Sequence, residues 1–500
     1  MKAVVCSLAV TLCLATPGLA ENQPVWRGLA ANAQHTAKAP TTGQSLTKIH
    51  WSMVIDHSPP IAPHSSLRAV DEILIHYASP MITAKNTVLV PVKTTAEGNF
   101  EIDAVKGATG KSVWTMKTDY LMPPHDWGVP LPVHMTAQNR MYVAGAGGTV
   151  YFRDTPDSKS GQSGQYAFYG LSKYKKDKNL YNNDVMIDTP ITADSQGNIY
   201  FGFVVLASNP AKLASGIARI DTTGKGIWVS AQNAAKNPEI SQVAMNCAPA
   251  ISADGTTVYI TVSNGSTGFL LGLDATTLQT KYEVQLIDPD TKTPAAISDD
   301  SSAAPTIGPD GEVYYGVVEA EGEHNCRGWL LNFTGDLTTE KTPGSFGWDD
   351  TVSIVPKSAL PKGSGKSSYY LMSKYNNYIN CGGGNGENQV AVLDPNATQK
   401  DQYSDVTVMK EVETVLGPTK SPDGGVYEWC VNTAVVDSKN KSIIVNSEDG
   451  NAYRWDLTSN SLAQKVPLNQ PTFEAYTPTL MGADGTLFAV NNAMLYAIGN

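Results

Sequence analysis

Residues 100–114 read FEIDAVKGATGKSVW, and this stretch decides how the chain is interpreted. An apolar and aromatic run leads into the turn Thr109-Gly110-Lys111, and a second short run follows and ends on Trp114. Glycine supplies the positive φ that a tight turn needs, and alternating apolar residues suit strands buried on one face. The stretch therefore predicts a β-hairpin that ends on an aromatic residue.

Degenerate copies of this hairpin recur along the chain, together with a second pattern. In the second pattern a proline-containing strand start precedes an Asp-Gly turn and an aromatic strand, as in Ala304-Pro305-Thr306-Ile307, Asp310-Gly311 and Val313-Tyr314-Tyr315. Proline is tolerated at a strand start, where a missing donor costs little. Repeats begin near residues 79, 131, 189, 248, 304, 352, 433 and 477. Spacings of roughly 45 to 80 residues are typical of four-stranded propeller blades with loop insertions.

The strand–Asp–x–x–Thr–Gly–Lys–x–x–Trp pattern resembles the tryptophan-docked blades of the pyrroloquinoline quinone (PQQ)-like, or quinoprotein dehydrogenase-like, β-propellers. Partial copies lie at residues 220–228, 273–277, 393–396 and 455–458, and the resemblance spans about residues 45–500. It implies an all-β, eight-bladed β-propeller in which each docking tryptophan packs between blades. WD40 and kelch propellers are the alternatives, and their signatures are absent.

The two ends of the chain predict how the ring closes. The last repeat ends at Asn500 with no room for a fourth strand, and residues 48–54 can supply it. A closed ring has no exposed sheet edge, which favours a monomer. We therefore divide the chain into residues 1–20, an extended segment at 21–44, and one propeller domain at 45–500.

Residues 1–20 have the pattern of a secretory signal peptide. Lys2 precedes an apolar stretch at 3–15, and Pro17, Gly18 and Ala20 supply a helix break and small residues for cleavage. A membrane anchor is the alternative, but the apolar run is shorter than the ~20 residues that a transmembrane helix needs. No later apolar run reaches 18 residues, so we expect a soluble secreted or periplasmic protein without a transmembrane segment.

Net charge limits the partners. The chain carries a formal charge of −11 and a pI near 5.2, and only 17% of its residues are charged. Nucleic-acid binding needs a basic face, so nucleic acid is not an expected partner. The ligand is therefore expected to be a protein or a glycan, of unknown identity.

Four cysteines remain after the signal segment, and four cysteines allow three disulfide connectivities. Exported proteins favour disulfides. With eight blades placed as above, Cys247 and Cys326 lie on neighbouring blades, as do Cys381 and Cys430. We therefore predict the bridges Cys247–Cys326 and Cys381–Cys430.

The segments that lead into the inner strands predict a ligand site. In propellers these segments line one face of the ring, here called the mouth. Carboxylates, aromatic rings and two histidines converge there, and the candidate ligand-binding residues are His76, His125, Trp127, Asp184, Asp188, Asn246, Asp299, Asp300, Trp348, Asp349, Asp350, Glu428, Trp429, Glu474 and Tyr476.

These residue types are compatible with several ligands. Clustered oxygen ligands suit Ca²⁺, and carboxylates beside aromatic rings suit a sugar or a cationic group. His76 and His125 are candidate general bases. The alternative for each residue is structural, because Asp, Ser and Asn also stabilise turns at strand ends. The catalytic residues and metal ligands of the family cannot be assigned to positions in this chain.

Three functions remain open. The first is a binding or assembly module that acts through an acidic, aromatic-lined mouth; it resembles the propeller lipoprotein of outer-membrane assembly but has no lipidated cysteine. The second is a periplasmic quinoprotein oxidoreductase with PQQ and calcium as cofactors. Its soluble alcohol-oxidising members have two adjacent cysteines, and no Cys-Cys pair occurs here. The third is a polysaccharide lyase or hydrolase.

Overall fold

The computed structural model is nearly all β, with eight blades arranged in a ring. It describes residues 23–62, 72–73, 77–96, 98–125, 130–297, 303–320, 322, 324–379, 381–422, 424–469, 471, 473–474 and 478–500. The predicted signal peptide lies outside these residues. Within them, no helix is long and apolar enough to cross a membrane.

The first half of the chain forms strands that precede the ring and then blades 1 to 4. The strands before blade 1 are β1 Lys48–Val54, β2 Ile61–Ala62 and β3 Glu72–Ile73. Blade 1 consists of β4 Met81–Ile82, β5 Thr87–Thr95, β6 Gly98–Lys106 and β7 Ser112–Lys117. Blade 2 consists of β8 Val133–Met135, β9 Arg140–Gly145, β10 Thr149–Asp154 and β11 Ser163–Ala167. Blade 3 consists of β12 Val185–Ile187, β13 Thr192–Ala193, β14 Ile199–Val205, β15 Gly216–Ile220 and β16 Gly226–Ser230. Blade 4 consists of β17 Gln242–Val243, β18 Ala250–Ile251, β19 Thr257–Ser263, β20 Gly268–Asp274 and β21 Thr280–Gln285.

The second half of the chain forms blades 5 to 8. Three short helices, described last, lie between strands of blades 2 to 4. Blade 5 consists of β22 Thr306–Ile307, β23 Val313–Val317 and β24 Trp329–Phe333. Blade 6 consists of β25 Ser353–Pro356, β26 Tyr369–Tyr375, β27 Gln389–Lys400 and β28 Thr407–Leu416. Blade 7 consists of β29 Val435–Asp437, β30 Ser442–Asn446, β31 Asn451–Asp456 and β32 Ser461–Pro467. The remaining strands are β33 Phe473–Glu474, then β34 Thr479–Met481, β35 Leu487–Asn491 and β36 Met494–Gly499 of blade 8. The helices are α1 Leu171–Lys176, α2 Lys178–Asn182 and α3 Ala231–Ala234.

The ring closes as the sequence predicts. Strand β1 pairs antiparallel with β36, so that the N-terminal strand is the outermost strand of blade 8. The inner strands of blades 3 and 4 are each split into two pieces. Proline lies at both breaks, because Pro190 separates β12 from β13 and Pro249 precedes β18. Proline has no backbone donor and interrupts the ladder.

Tryptophan docking is present at two blade junctions. Trp51 of β1 donates its indole N–H to the Gly107 carbonyl of blade 1 at 2.7 Å, and Trp114 donates to the Pro156 carbonyl of blade 2 at 2.7 Å. Gly110 has φ +65°, and a Cβ there would lie 2.9 Å from the Trp51 ring. The Thr109-Gly110-Lys111 turn therefore requires glycine both for its backbone and for the approach of the neighbouring blade.

The segment before β1 lies inside the ring. Carbonyls of six of its residues each accept a hydrogen bond of 2.7–3.0 Å from a residue of a different inner strand or strand piece. The acceptor–donor pairs are Trp26 with Ile82, Arg27 with Met135, Ala33 with Ile251, Gln34 with Ile307, Thr36 with Ile354, and Ala37 with Val436. We call residues 26–37 the channel plug, because they close the end of the channel opposite the mouth.

Small side chains allow the channel plug to coil within this narrow space. Ala30, Ala31, His35 and Ala37 all have φ between 46° and 73°, in the left-handed region. Such residues cost of order 1–2 kcal/mol each and persist only when surrounding contacts determine them. The repeated carbonyl-to-blade hydrogen bonds supply those contacts.

Enlarging a plug residue should destabilise the whole ring. Ala37 is fully buried, whereas Lys38 beside it is exposed. The Ala37→Leu variant overpacks this site. Its free energy of unfolding is expected to be about 1–3 kcal/mol lower than that of the parent chain. Lys38→Leu is the matched control and should change it by less than about 0.5 kcal/mol. Urea unfolding measures both, and equal stabilities would contradict a tightly packed plug.

Two histidines are buried where the plug meets the blades. His35 Nδ1 lies 2.6 Å from the Pro305 carbonyl, and His134 lies beside Gly28 of the plug. Burial lowers the pKa of His35 to about 4. Burial, with smaller effects of Arg27 and His35, lowers the pKa of His134 to about 3. Both rings are therefore neutral in the folded state.

Acid should weaken the fold through these histidines. Their pKa is near 6.5 in the unfolded chain and lower in the folded one, so the unfolded chain binds more protons once the pH drops below 6.5. Stability is expected to fall from pH 6.5 toward pH 4, by about 1.4 kcal/mol per pH unit for each histidine. The His134→Asn variant keeps a hydrogen-bond donor near the Nδ1 position. It should roughly halve the pH dependence of stability that His35 and His134 cause together. A slope identical to that of the parent chain would exclude His134 as a contributor.

Candidate functional site

The mouth lies at the end of the ring where inner strands begin. Between the mouth and the plug, the described residues line a cavity of about 30 Å³. Leu29 of the plug contributes to it, prolines 130, 190 and 478 line its wall, and Asn246 and Asn432 contribute polar groups. This volume holds only one or two water molecules. The cavity that the described residues enclose above the plug is therefore small.

Several predicted site residues lie outside the described residues. These are His76, Trp127, Asp299, Asp300, Tyr476 and the side chain of Glu474. The other predicted residues are placed by the structure, and they lie in groups on two sides of the ring.

On the blade 3 and 4 side, Asp188 and Asn246 come together. Both are almost completely buried, and the Asn246 backbone N–H donates to the Asp188 carbonyl at 2.9 Å. Asp184 is partly exposed, and its carbonyl accepts from the Leu206 N–H at 2.8 Å. His125 Nδ1 lies 2.5 Å from the nearby Pro123 carbonyl. Backbone contacts of this kind agree with a turn-stabilising role for Asp184 and His125.

On the blade 6 and 7 side, acidic and aromatic residues gather around Tyr378. Burial raises the pKa of Tyr378 well above its usual value, and the nearby carboxylates of Glu428, Asp349 and Glu448 raise it further. Trp348 packs edge-on against Tyr378, with ring centroids 5.5 Å apart. We call this group, together with Asp350 and Lys374, the acidic cluster.

Asp350 is the most perturbed carboxyl group of the acidic cluster. Burial raises its pKa to about 7, although a 2.5 Å hydrogen bond from Ser373 and the charge of Lys374 oppose the shift. Four carboxyl groups face one lysine in this cluster, so its net charge is negative. The described part of the mouth at blades 6 and 7 is therefore electrostatically favourable for cations.

The sequence analysis did not identify Tyr378, Lys374 or Glu448. They lie at or after the ends of second strands, β26 and β30, rather than in the segments that lead into inner strands. In this propeller both kinds of loop meet at the mouth, so the segments that lead into inner strands supply only part of its residues.

Trp429 was predicted at the mouth but is fully buried between blades 6 and 7. Its indole N–H donates to the Asn388 carbonyl at 3.2 Å. The position after Glu428 is therefore a packing position, and Trp348 is the partly exposed tryptophan of the acidic cluster.

Both predicted disulfides are wrong. Cys326 bonds to Cys381, and Cys247 is a buried thiol. The prediction paired cysteines from a segment leading into an inner strand with cysteines from a loop after a second strand. The observed bridge instead joins two loops of the second kind, on blades 5 and 6, whose Cα atoms are 5.8 Å apart. Desolvation raises the pKa of Cys247 to about 11, which makes this thiol a poor nucleophile.

A serine, a histidine and an aspartate meet beside this disulfide but do not form a catalytic triad. Ser345 Oγ donates to Asp401 at 2.5 Å, and His324 Nε2 lies 3.1 Å from the same carboxylate. A triad needs the serine to donate to the histidine and the histidine's other nitrogen to face the aspartate. Here all three side chains are buried, and the His324 ring stacks on Trp329 at 3.8 Å. The arrangement fastens blade 6 to blade 5.

Burial acts to raise the pKa of Asp401, but hydrogen bonds from His324 and Ser345 outweigh it and lower the pKa below its usual range. His324 Nδ1 also lies 3.1 Å from the Gly328 carbonyl.

Within the described residues, no group of three His, Cys, Asp or Glu residues is arranged to hold a metal ion.

Eight blades, the closing N-terminal strand and tryptophan docking define the chain as an eight-bladed β-propeller. No protein-family model matches the chain, and no curated protein matches it in sequence. Solved structures share the fold. A europium-containing methanol dehydrogenase is 8% identical with a TM-score of 0.56, covering 94% of this chain and 89% of its own.

Two further structures are similar. The quinohemoprotein alcohol dehydrogenase from Comamonas testosteroni is 11% identical with a TM-score of 0.55, covering 95% of this chain and 81% of its own. BamB from Moraxella catarrhalis is 10% identical with a TM-score of 0.47, covering 91% and 99%. Identities this low show the fold alone.

Replacing the buried carboxyl group should change stability in a pH-dependent way. The pKa of Asp350 is near 3.9 in the unfolded chain and about 7 in the folded one, so its stabilising effect is present at low pH and lost as pH rises through 7. Asp350→Asn removes the cost of burying a charge, and should raise the melting temperature at pH 8 more than at pH 5. A gain that does not depend on pH would show that Asp350 is ordinarily ionised in the fold.

Proposed function

We propose that this chain is an exported, non-catalytic binding module that holds a cationic segment of another protein at its mouth. The observation that carries the proposal is the acidic cluster, in which Glu428, Asp349 and Glu448 surround Tyr378 beside the partly exposed Trp348. Carboxylates provide charge, and aromatic rings bind cations through their faces.

The shape of the channel supports binding at the surface. Because the plug closes one end of the channel, a partner segment can enter the channel only from the mouth. The Cys326–Cys381 disulfide ties two of the loops around the acidic cluster. A preorganised surface loses little conformational entropy on binding. The disulfide also supports export, since such bonds persist in oxidising compartments.

Ser345, His324 and Asp401 do not support the hydrolase hypothesis, because they are buried and wrongly ordered for a triad. The quinoprotein hypothesis has no supporting residue set within the described part of the mouth. A glycan remains an alternative ligand, since aromatic rings beside carboxylates also suit sugars.

A cationic peptide tests the proposal. We expect an octapeptide of alternating lysine and glycine to bind the chain, and its lysine-acetylated form to bind much more weakly. Trp348→Ala/Glu428→Gln should weaken binding about tenfold or more, because it removes an aromatic contact and a charge from the centre of the site. Isothermal titration at low and high salt measures the affinities.

Asp336→Asn is the matched control, since Asp336 is an exposed carboxylate on a turn at the plug end of the ring. Equal affinity of the mouth variant and the control would refute the cationic site. A glycan array and a thermal-shift titration with PQQ, with and without Ca²⁺, cover the alternatives. A saturable, calcium-dependent rise in melting temperature would favour the oxidoreductase instead.

A further inference from the structure

The connection between blades 2 and 3 forms a basic surface on an acidic protein. Four of the six residues in 173–178 are lysines: Lys173, Lys175, Lys176 and Lys178. All four are exposed, and they lie on or beside α1 and α2. This connection runs from the outermost strand of blade 2 to the inner strand of blade 3, so it lies at the mouth end of the ring.

Two exposed leucines accompany these lysines. Leu180 of α2 is 54% exposed, and Leu206 of the neighbouring loop is 46% exposed. Leu206 is held beside the end of α2, because its N–H donates to the Asp184 carbonyl at 2.8 Å. Lys212 is exposed in the same loop. We call these five lysines and two leucines the lysine patch.

Acidic residues near the lysine patch neutralise it only in part. Lys178 lies 3.8 Å from Asp119, and both side chains are well exposed, so this pair is weak. Asp177 and Asp184 are the other acids of these elements. No ion pair is formed by Lys173, Lys175 or Lys176 with any part of the chain that the structure describes. Five lysines against three acids leave a local positive charge.

Tyrosines make the lysine patch a rigid platform. Tyr174 and Tyr181 are buried beneath it, and Tyr181 stacks on Tyr169 with ring centroids 4.6 Å apart. Tyr169 donates to the Gly147 carbonyl at 2.6 Å, and Tyr174 donates to Asn182 at 3.0 Å. The lysines and leucines are therefore presented on a fixed surface.

We propose that the lysine patch docks the propeller onto an anionic phospholipid bilayer, with Leu180 and Leu206 inserted at the headgroup level. Lysines around exposed leucines are the composition of interfacial membrane-binding helices. Each lysine near an anionic surface increases partitioning roughly fivefold.

A bilayer fits this surface better than other anionic partners. Nucleic acid offers charge without an apolar phase, and it would leave Leu180 and Leu206 without a partner. Leu180 is exposed on α2 and Leu206 on the neighbouring loop, and a flat fluid surface accommodates such side chains without a matching pocket. Docking is reversible and salt-sensitive, because few charges and little apolar area are involved.

Vesicle co-sedimentation tests the proposal with residues 21–500, since the apolar residues at 3–15 would bind membranes by themselves. Vesicles of phosphatidylglycerol and phosphatidylcholine are compared with vesicles of phosphatidylcholine alone. Lys175→Glu/Lys176→Glu should reduce partitioning onto the anionic vesicles at least about 25-fold. Lys362→Glu/Lys366→Glu changes the net charge equally at exposed lysines of blade 6 and should reduce it far less.

A second variant, Leu180→Ser/Leu206→Ser, keeps the charge and should also weaken binding. Its melting temperature confirms that the fold is retained, because both leucines are exposed. The proposal is overturned if the parent chain does not bind anionic vesicles, or if the patch and control charge variants lose binding equally. Binding to poly-glutamate without binding to vesicles would also overturn it, in favour of an acidic protein.

Discussion

Hydrogen bonding between the channel plug and the inner strands is the constraint on which the rest of the structure depends. An inner strand has no further strand on its axial side, so backbone groups there must find another partner or water. Six carbonyls of residues 26–37 each accept from an inner-strand amide of a different blade. One short segment therefore ties together blades that are otherwise joined only to their neighbours.

That constraint fixes the position of the functional surface. With the plug at one end, the axial channel is blind and the mouth is its only open end. Loops at the mouth do not take part in closing the ring, so they can carry buried charged groups. Asp350 shows the cost, since its pKa of about 7 means that the folded state disfavours its ionised form. A residue that destabilises the fold at high pH is better explained by a role at the mouth than by packing.

The sequence was most informative where a local rule applies in every blade. Gly110 and Trp114 predict a docked hairpin from the residues alone, and residues 48–54 predict ring closure by counting strands. The plug could not be predicted, because its residues have small side chains and interact through backbone carbonyls, which leave no pattern in the sequence. The disulfide prediction failed because blade order identifies which loops are neighbours but not how far each loop reaches.

The candidate site was predicted less well than the fold for a related physical reason. Asp349 and Glu428 were found because they precede inner strands, but whether a neighbouring ring is exposed depends on packing. Trp348 and Trp429 both lie next to such acids, but Trp348 is partly exposed whereas Trp429 is buried. Lys374 and Tyr378 were missed because they follow a second strand.

Departure from the repeat is concentrated at blades 5 and 6, beside the acidic cluster. Blade 5 has three regular strands, and residues 340–344 contact β24 only through isolated bridges. The long hairpin of β27 and β28 compensates: Met409 donates to the Pro343 carbonyl at 2.7 Å, and Asp401 reaches His324. Because the β27–β28 hairpin of blade 6 takes the place of a regular outer strand in blade 5, the loops of blade 5 do not have to follow the repeat pattern. The Cys326–Cys381 bridge and the buried Arg327 then fix those loops next to the acidic cluster, as expected where local rules yield to a binding surface.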